Sequence, residues 1–473
     1  MGIKRNILYT SILTTSNYIF PLIVYPYVSR VLGVTNIGLC NFIDSIINYF
    51  ILFSMMGVTI LGTRQIAMDK ANSINLSNPF SSLLALNGLT TIFALFILLG
   101  VTLTVPELYE NRDMMGYGAI KLVSNFLLIE WFYKGIENFR FITVRTIFIK
   151  CLFVASVFIF VRDREDYPVY YLLTALTIAG NAIINISYAT KFASFRLKLV
   201  NLKNYIKPYF VLGSYLVMTS LYTTFNVVYL GFITNDTQVG YYTTATRLYN
   251  ILLALFTGVT TVLMPRMSNL LAQNKFDEFK SFIGKSTSLL FCFSFPVIIF
   301  CTIYAPEVIM LISGPGYEGA ITPMRIIMPL MLIIGYEQIQ IVQCLMPLKR
   351  DKKVMINAGI GALIGIILNF LLIPHLESVG SAITWVSAET TIMVLSQIVL
   401  KIEFDINFAW KNFFRELLFN IPLCGILLMI YFIFRSYNYF LVLTLAALIT
   451  AIYFFSTQIF INKNKTILSL FHK

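Results

Sequence analysis

Asn41, Asp44, Ser45 and Asn48 stand at i, i+3, i+4 and i+7 in an otherwise apolar segment, so a helix through them carries one polar face. Thr243, Thr246, Arg247 and Asn250 repeat the spacing in a later segment. Polar groups are expensive in lipid, so both stripes face protein or a water-filled cavity. Interhelical hydrogen bonding suits Asn, Ser and Thr and is one reading. Arg247 favours a cavity, because a guanidinium inside an apolar helix costs about 2.5–3.5 kcal/mol even on lenient insertion scales.

Three further cations join Arg247. Arg30 ends the first apolar segment, which also holds Pro21 and Pro26, while Lys121 and Arg325 fall one to two turns below the outer ends of the fourth and tenth expected helices. Together the four form a cationic set that reaches a central or outward-opening cavity. For Lys121 and Arg325, snorkelling to the outer interface is the competing reading. Arg64 and Arg266 read as ordinary positive-inside residues. Four acids lie in apolar segments: Asp44, Glu130, Glu337 and Glu389. Glu130 has Lys134 one turn away as an i, i+4 partner. Asp44 can pair with Arg30 or Arg247 or carry a coupling proton, and Glu337 and Glu389 suit either job.

Enzyme chemistry finds little to work with. The two histidines are His375, in a short loop, and His472, in the tail, so no intramembrane general base is on offer. The six cysteines show no CxxC spacing, which argues against both a disulfide frame and a zinc site. "SGPGYEG" (313–319) reads as a turn rather than a phosphate cradle, and "LVNLKNYIKPYF" as an interfacial segment touching anionic lipid rather than nucleic acid. No cofactor or metal is expected.

The elements that must position these residues follow from composition: 58% of the 473 residues are hydrophobic and 12% charged, with apolar runs near bilayer length. Helices are expected near 7–31, 36–61, 81–104, 115–136, 142–161, 168–189, 209–232, 238–264, 282–304, 320–346, 354–373, 379–401, 414–434 and 438–460. Lys and Arg gather in alternate loops, notably 191–207 and 349–353, which places both termini in the cytoplasm and accounts for the net charge of +13. Adding 202 to positions in the first helical pair matches Gly38 to Gly240, Asn41 to Thr243, Asp44 to Thr246, Asn48 to Asn250 and Arg64 to Arg266; at 204, Lys121 meets Arg325. A duplicated six-helix unit is oriented the same way in both copies. The expectation is an all-α polytopic membrane protein of about 14 helices. An N-lobe (1–200) and a C-lobe (201–405) are parallel and flank a central cavity, with two helices appended (406–473). Position 232, the match of Arg30, is Phe, so Arg30 has no twin and the cavity is electrostatically lopsided.

With "SRVLGVTNIGLCNFIDSIINYF" (29–50), "GTRQIA" (62–67), "EWFYKGIENFRFI" (130–142), "GYYTTATRLYN" (240–250) and "LMPRMS" (263–268) in this order, the chain resembles Wzx-type polysaccharide flippases of the multidrug/oligosaccharidyl-lipid/polysaccharide exporter superfamily. The resemblance implies a non-enzymatic transporter in the cytoplasmic membrane. It would move an undecaprenyl-diphosphate-linked oligosaccharide from the inner to the outer leaflet by alternating access, working with membrane lipids, a polysaccharide polymerase and glycosyltransferases. The implied diphosphate and sugar contacts are Arg30, Lys121, Arg247, Arg325, Asn41, Asn48 and Asn250, with Asp44 as pairing or coupling acid and Pro21 and Pro26 as a hinge. A coupling ion, H+ or Na+, is left open. A flippase of lipid-linked peptidoglycan precursor and a multidrug extruder of the same superfamily remain alternatives. Against the extruder, residues 7–31 and 209–232 hold no Asp or Glu.

Overall fold

The computed structural model describes residues 3–461 apart from 197, 199, 221–223, 435 and 436, and its regular elements are all helical. The chain divides into two compact units, Met1–Gly240 and Tyr241–Lys473.

The first unit holds α1 (Ile3–Met55), α2 (Val58–Ala71), α3 (Ser77–Thr104), α4 (Pro106–Glu110), α5 (Arg112–Leu128), α6 (Glu130–Gly135), α7 (Phe139–Phe160), α8 (Tyr167–Ala189), α9 (Lys203–Ser220) and α10 (Phe225–Ile233). Helix α11 (Asp236–Ala272) begins there and runs into the second unit. That unit continues with α12 (Phe276–Ile303), α13 (Ala305–Ile312), α14 (Ile321–Ile327), α15 (Leu330–Gln338), a π-helical segment Ile339–Leu345, α16 (Asp351–Phe404), α17 (Trp410–Phe434) and α18 (Tyr439–Ser456).

Among the described residues, nine helical stretches are long and apolar enough to cross a membrane. Two of them, Leu8–Ala71 and Asp351–Phe404, each run through two expected spans. Chain direction changes inside them at single residues. Gly33 in α1 has φ 75° and ψ 170°, and Glu377 in α16 has φ 49° and ψ −125°. Pro21 and Pro26 stay within α1, and its non-helical residue is Gly33, whose backbone conformation only glycine adopts without strain. The expected span 115–136 is divided by Ile129 in the left-handed region, and 209–232 is divided between α9 and α10. The Arg266 side chain lies outside the described residues.

Large apolar side chains cover the outside, as Phe93 and Phe96 do at 68% and 69% exposure. Lipid tails are as apolar as these groups, so close packing and polar contacts, rather than water exclusion, hold helices together. Glycines make that packing possible. A Cβ on Gly62 would stand 2.5 Å from the buried Trp131 ring, and one on Gly118 would stand 2.4 Å from the Ile47 side chain, bringing α5 against the polar-striped half of α1.

Candidate functional site

Helix α1 restarts after Gly33 and carries Asn41, Asp44, Ser45 and Asn48 along one face. Two hydrogen bonds fix the break from either side. The Tyr27 hydroxyl donates to the Val161 carbonyl at 2.7 Å, and the Asn36 amide donates to the Arg164 carbonyl at 2.8 Å. Because 161 and 164 belong to the short turn between α7 and α8, that turn sets the angle at which the polar face is presented.

At the centre of the face is an ion pair. Lys121 Nζ of α5 donates to Asp44 Oδ1 at 2.6 Å, with the lysine side chain 6% exposed and the carboxylate 39%. The same ammonium lies 3.9 Å from the Tyr171 ring centroid of α8, and the Tyr171 hydroxyl approaches Asp44 Oδ1 at 3.5 Å. Asn48 Nδ2 donates to Asp44 Oδ2 at 3.3 Å. Lys121 is therefore turned inward rather than extended toward an interface. A cation removed from water needs both a counter-charge and a polarisable face, and Asp44 and Tyr171 supply them. The arrangement leaves the carboxylate, Asn48 and the half-buried Asn41 reachable from one side while the lysine is enclosed. An incoming anion could compete with Asp44 for Lys121, and hydroxyl-bearing groups could use the amides.

Arg30 is exposed, and its Nη1 donates to the Pro26 carbonyl at 2.6 Å. Its match in the repeat, Phe232, makes an edge-to-face contact with Phe42 of α1 at 5.1 Å between ring centroids. Gly231 makes room for it, since a Cβ there would meet the Phe42 ring at 2.1 Å. Packing against α1 thus accounts for an aromatic where the other copy has a cation.

In the second unit Arg247 is partly buried and Asn250 exposed on α11, beside Thr246, whose hydroxyl donates to the Thr243 carbonyl at 3.0 Å. Arg325 of α14 is exposed and its Nε donates to the Thr302 carbonyl at 3.1 Å. Lys121 and Arg325 match in sequence but differ in surroundings: one is enclosed by an acid and a ring, the other rests on a helix-end carbonyl. The first unit brings Asp44, Asn48 and Lys121 together; Arg247, Asn250 and Arg325 belong to the second.

Two features escaped the sequence reading. Tyr171, in an apolar run, carries no signal that it will cover a lysine. Arg145, buried in α7, donates to Glu130 Oε1 at 3.0 Å and to the Asn185 amide oxygen, while Lys134 stands 3.4 Å from the other Glu130 oxygen. The Glu130–Lys134 pair is thus part of a four-residue network next to the α5–α6 break. An arginine inside the apolar run 139–160 was a legible warning.

Comparisons with known proteins follow the same lines. A "Putative O-antigen transporter" of Escherichia coli (strain K12) is 27% identical over 406 residues, covering 84% of this chain and 96% of that protein. A like-named protein of Shigella dysenteriae is 27% identical over 275 residues, 56% of this chain and 68% of its own length. Among solved structures, a lipid II flippase, MurJ, in an inward closed conformation superposes with a TM-score of 0.78 at 16% identity, over 97% of this chain and 99% of its own. An inward-facing multidrug resistance transporter of the MATE family, MOP superfamily, gives 0.64 at 13% identity, over 81% and 93%. At such identities the likeness establishes a shared fold. The MatE family matches residues 211–371. Residues 3–271, more than half of this multi-pass membrane chain, match the family described as polysaccharide biosynthesis protein, and the chain belongs to that family.

Proposed function

We propose that the protein flips an undecaprenyl-diphosphate-linked oligosaccharide repeat unit from the inner to the outer leaflet of the cytoplasmic membrane, by alternating access, for surface polysaccharide biosynthesis. The observation that carries this reading is the family match over 3–271, with relatives named for O-antigen transport. The chemistry of the candidate site supports it. A diphosphate needs cations held out of bulk water, and the enclosed Lys121 with its exchangeable Asp44 partner meets that need. Arg30, Arg247 and Arg325 add charge along the route, and Asn41, Asn48 and Asn250 offer amides to sugar hydroxyls. The protein acts without catalysing a covalent step. Both termini face the cytoplasm, a glycosyltransferase system supplies the substrate and a polymerase consumes it.

Carrying about two phosphate charges outward across an inside-negative membrane is downhill by roughly 2.3 kcal/mol per charge per 100 mV, enough to bias export. A lipid-linked peptidoglycan precursor is the second reading, favoured by the fold shared with a lipid II flippase. Reconstitution separates the two. Proteoliposomes holding fluorescent undecaprenyl-diphosphate oligosaccharide are expected to expose it to an external quencher, and faster exposure of lipid II under the same conditions would overturn the proposal in favour of the second reading.

A further inference from the structure

The first half of α1 carries a polar face of its own. Ser11, Thr14, Thr15 and Tyr18 repeat the i, i+3, i+4, i+7 spacing of the Asn41 stripe, and Thr10, Thr14 and Asn17 widen it. All of these except the half-buried Tyr18 are exposed. The exposed Ile12, Ile19 and Ile23 lie on a separate strip of the same helix. Lipid accounts for the isoleucines but not for the hydroxyls. Among the described residues those of Ser11, Thr14 and Thr15 have no hydrogen-bond partner, and such groups are costly against hydrocarbon. The polar side therefore meets water or a ligand.

Beside this face stands Lys150 of α7. Its Nζ donates to Asn17 Oδ1 at 2.6 Å and lies 5.7 Å from the Phe20 ring centroid. Residue 150 is about 15 Å from either end of α7, farther than a lysine extends, so snorkelling does not explain it. Pairing explains two other cations of this unit, since Lys121 has Asp44 and Arg145 has Glu130 as counter-charge. Lys150 has a neutral amide and a ring. Glu130, whose charge is felt at Lys150, is already engaged by Arg145 at 3.0 Å and Lys134 at 3.4 Å. A half-buried ammonium held by an amide, at the border of an exposed hydroxyl face, is suited to an anion that brings hydroxyls with it.

The depth of this place differs from that of the Asp44–Lys121 pair. The two arms of α1 run from the break at Gly33, and at about 1.5 Å per residue Asn17 lies about 8 Å farther along its arm than Asp44 does along the other. With the termini in the cytoplasm, as the proposed function has them, Lys150 is nearer the inner leaflet.

We propose that Lys150, Asn17 and the hydroxyls of Ser11, Thr14 and Thr15 form an inner station that takes the diphosphate and first sugar of a lipid-linked oligosaccharide before it reaches Asp44 and Lys121. Lys150 binds a phosphate oxygen while the hydroxyls and the Asn17 amide meet the sugar. At Lys121 an incoming anion has to displace a carboxylate, whereas at Lys150 it displaces only an amide oxygen. Capture at the first place and exchange at the second follow from that difference. The oligosaccharide rests on the transport reading, whereas binding of a diphosphate at Lys150 does not.

The test uses full-length protein in lipid nanodiscs, with Cys151 replaced and the parent without added cysteine as background. Thr14→Cys is expected to react quickly with a charged thiol reagent and Ile19→Cys slowly. Farnesyl diphosphate should protect Thr14→Cys, and farnesol should not. Adding Lys150→Gln is expected to raise the protecting concentration about 10- to 100-fold, the loss of one charged hydrogen bond, while Lys150→Arg retains protection. Equal reaction at the two positions, no protection by the diphosphate, or protection indifferent to Lys150→Gln would each overturn the proposal. Should Lys150→Gln fail to fold, Asn17→Asp gives the lysine a fixed counter-charge and is expected to weaken protection; unchanged protection there has the same force. A protein that shows Lys150-dependent protection but flips no lipid-linked oligosaccharide keeps the station and loses the transport reading. Flipping without such protection does the reverse.

Discussion

Thr35 and Thr237, 202 residues apart, share a hydrogen bond of 2.9 Å between their hydroxyls. That separation is the offset of the internal repeat, so matching positions of the two copies touch. The matched glycines beside them are equally close. A Cβ on Gly38 would lie 1.7 Å from the Asp236 carbonyl oxygen, and one on Gly240 would lie 2.3 Å from that of Val34. The starts of the two striped helices are held backbone to backbone.

In an alternating-access cycle such a contact must open. Thr35→Cys with Thr237→Cys, in a background lacking the exposed Cys151, should form a disulfide under mild oxidation. Surface polysaccharide export is then expected to fall to background and to return on reduction. Full export by the cross-linked protein would show that this contact stays closed throughout.

The Asp44–Lys121 pair should behave as a coupled unit. Asp44→Ala is expected to lower stability by about 1–3 kcal/mol, below the ~3–5 kcal/mol of fully buried pairs because the carboxylate is more than a third exposed. Lys121→Ala alone should be similar, and the double variant less destabilised than the sum. Thermal unfolding in detergent gives the cycle; simple additivity would mean that the ion pair carries no net coupling.

Arg30→Ala should reduce export roughly 10- to 100-fold at unchanged protein level, the loss expected from one charge-assisted contact to phosphate. Arg30→Lys should retain more if charge alone matters and little if the planar fork matters. Surface polysaccharide at matched expression measures both.

Gly33→Ala places a Cβ on a backbone at φ 75°, ψ 170°, which costs about 1–3 kcal/mol. Transport should fall although the residue has no side chain to offer a substrate. Pro26→Ala, inside regular helix, should be milder than Gly33→Ala, and the reverse order would favour the prolines as the hinge.

Arg145→Met should test the network beside the α5–α6 break. It leaves Glu130 with Lys134 alone and takes the charged donor away from Asn185, and folding stability is expected to drop by about 1–3 kcal/mol, the cost of a lost charged hydrogen bond with a buried acceptor left unsatisfied. A variant as stable as the native protein would make Arg145 dispensable to the fold.

The sequence by itself determined the membrane class, the duplication and the polar face of Asn41, Asp44 and Asn48. Each is written in local order: apolar run length, a fixed offset, or helical spacing that survives any tertiary arrangement. It also marked Lys121 and Glu389 as costly, since a charge in an apolar run is visible wherever it ends up. Partnership is another matter. Whether Lys121 reached an interface or an acid depended on Gly118 letting α5 approach Ile47 and on Tyr171 arriving from α8, contacts between segments far apart in the chain. The turn between the first two expected spans likewise took its form from tertiary contacts: it falls at Gly33, both of whose flanks are tied to the turn at 161–164, while Pro21 and Pro26 stay within helix. That Glu337 and Glu389 are both enclosed was decided only in the tertiary structure, where neighbouring helices close over them.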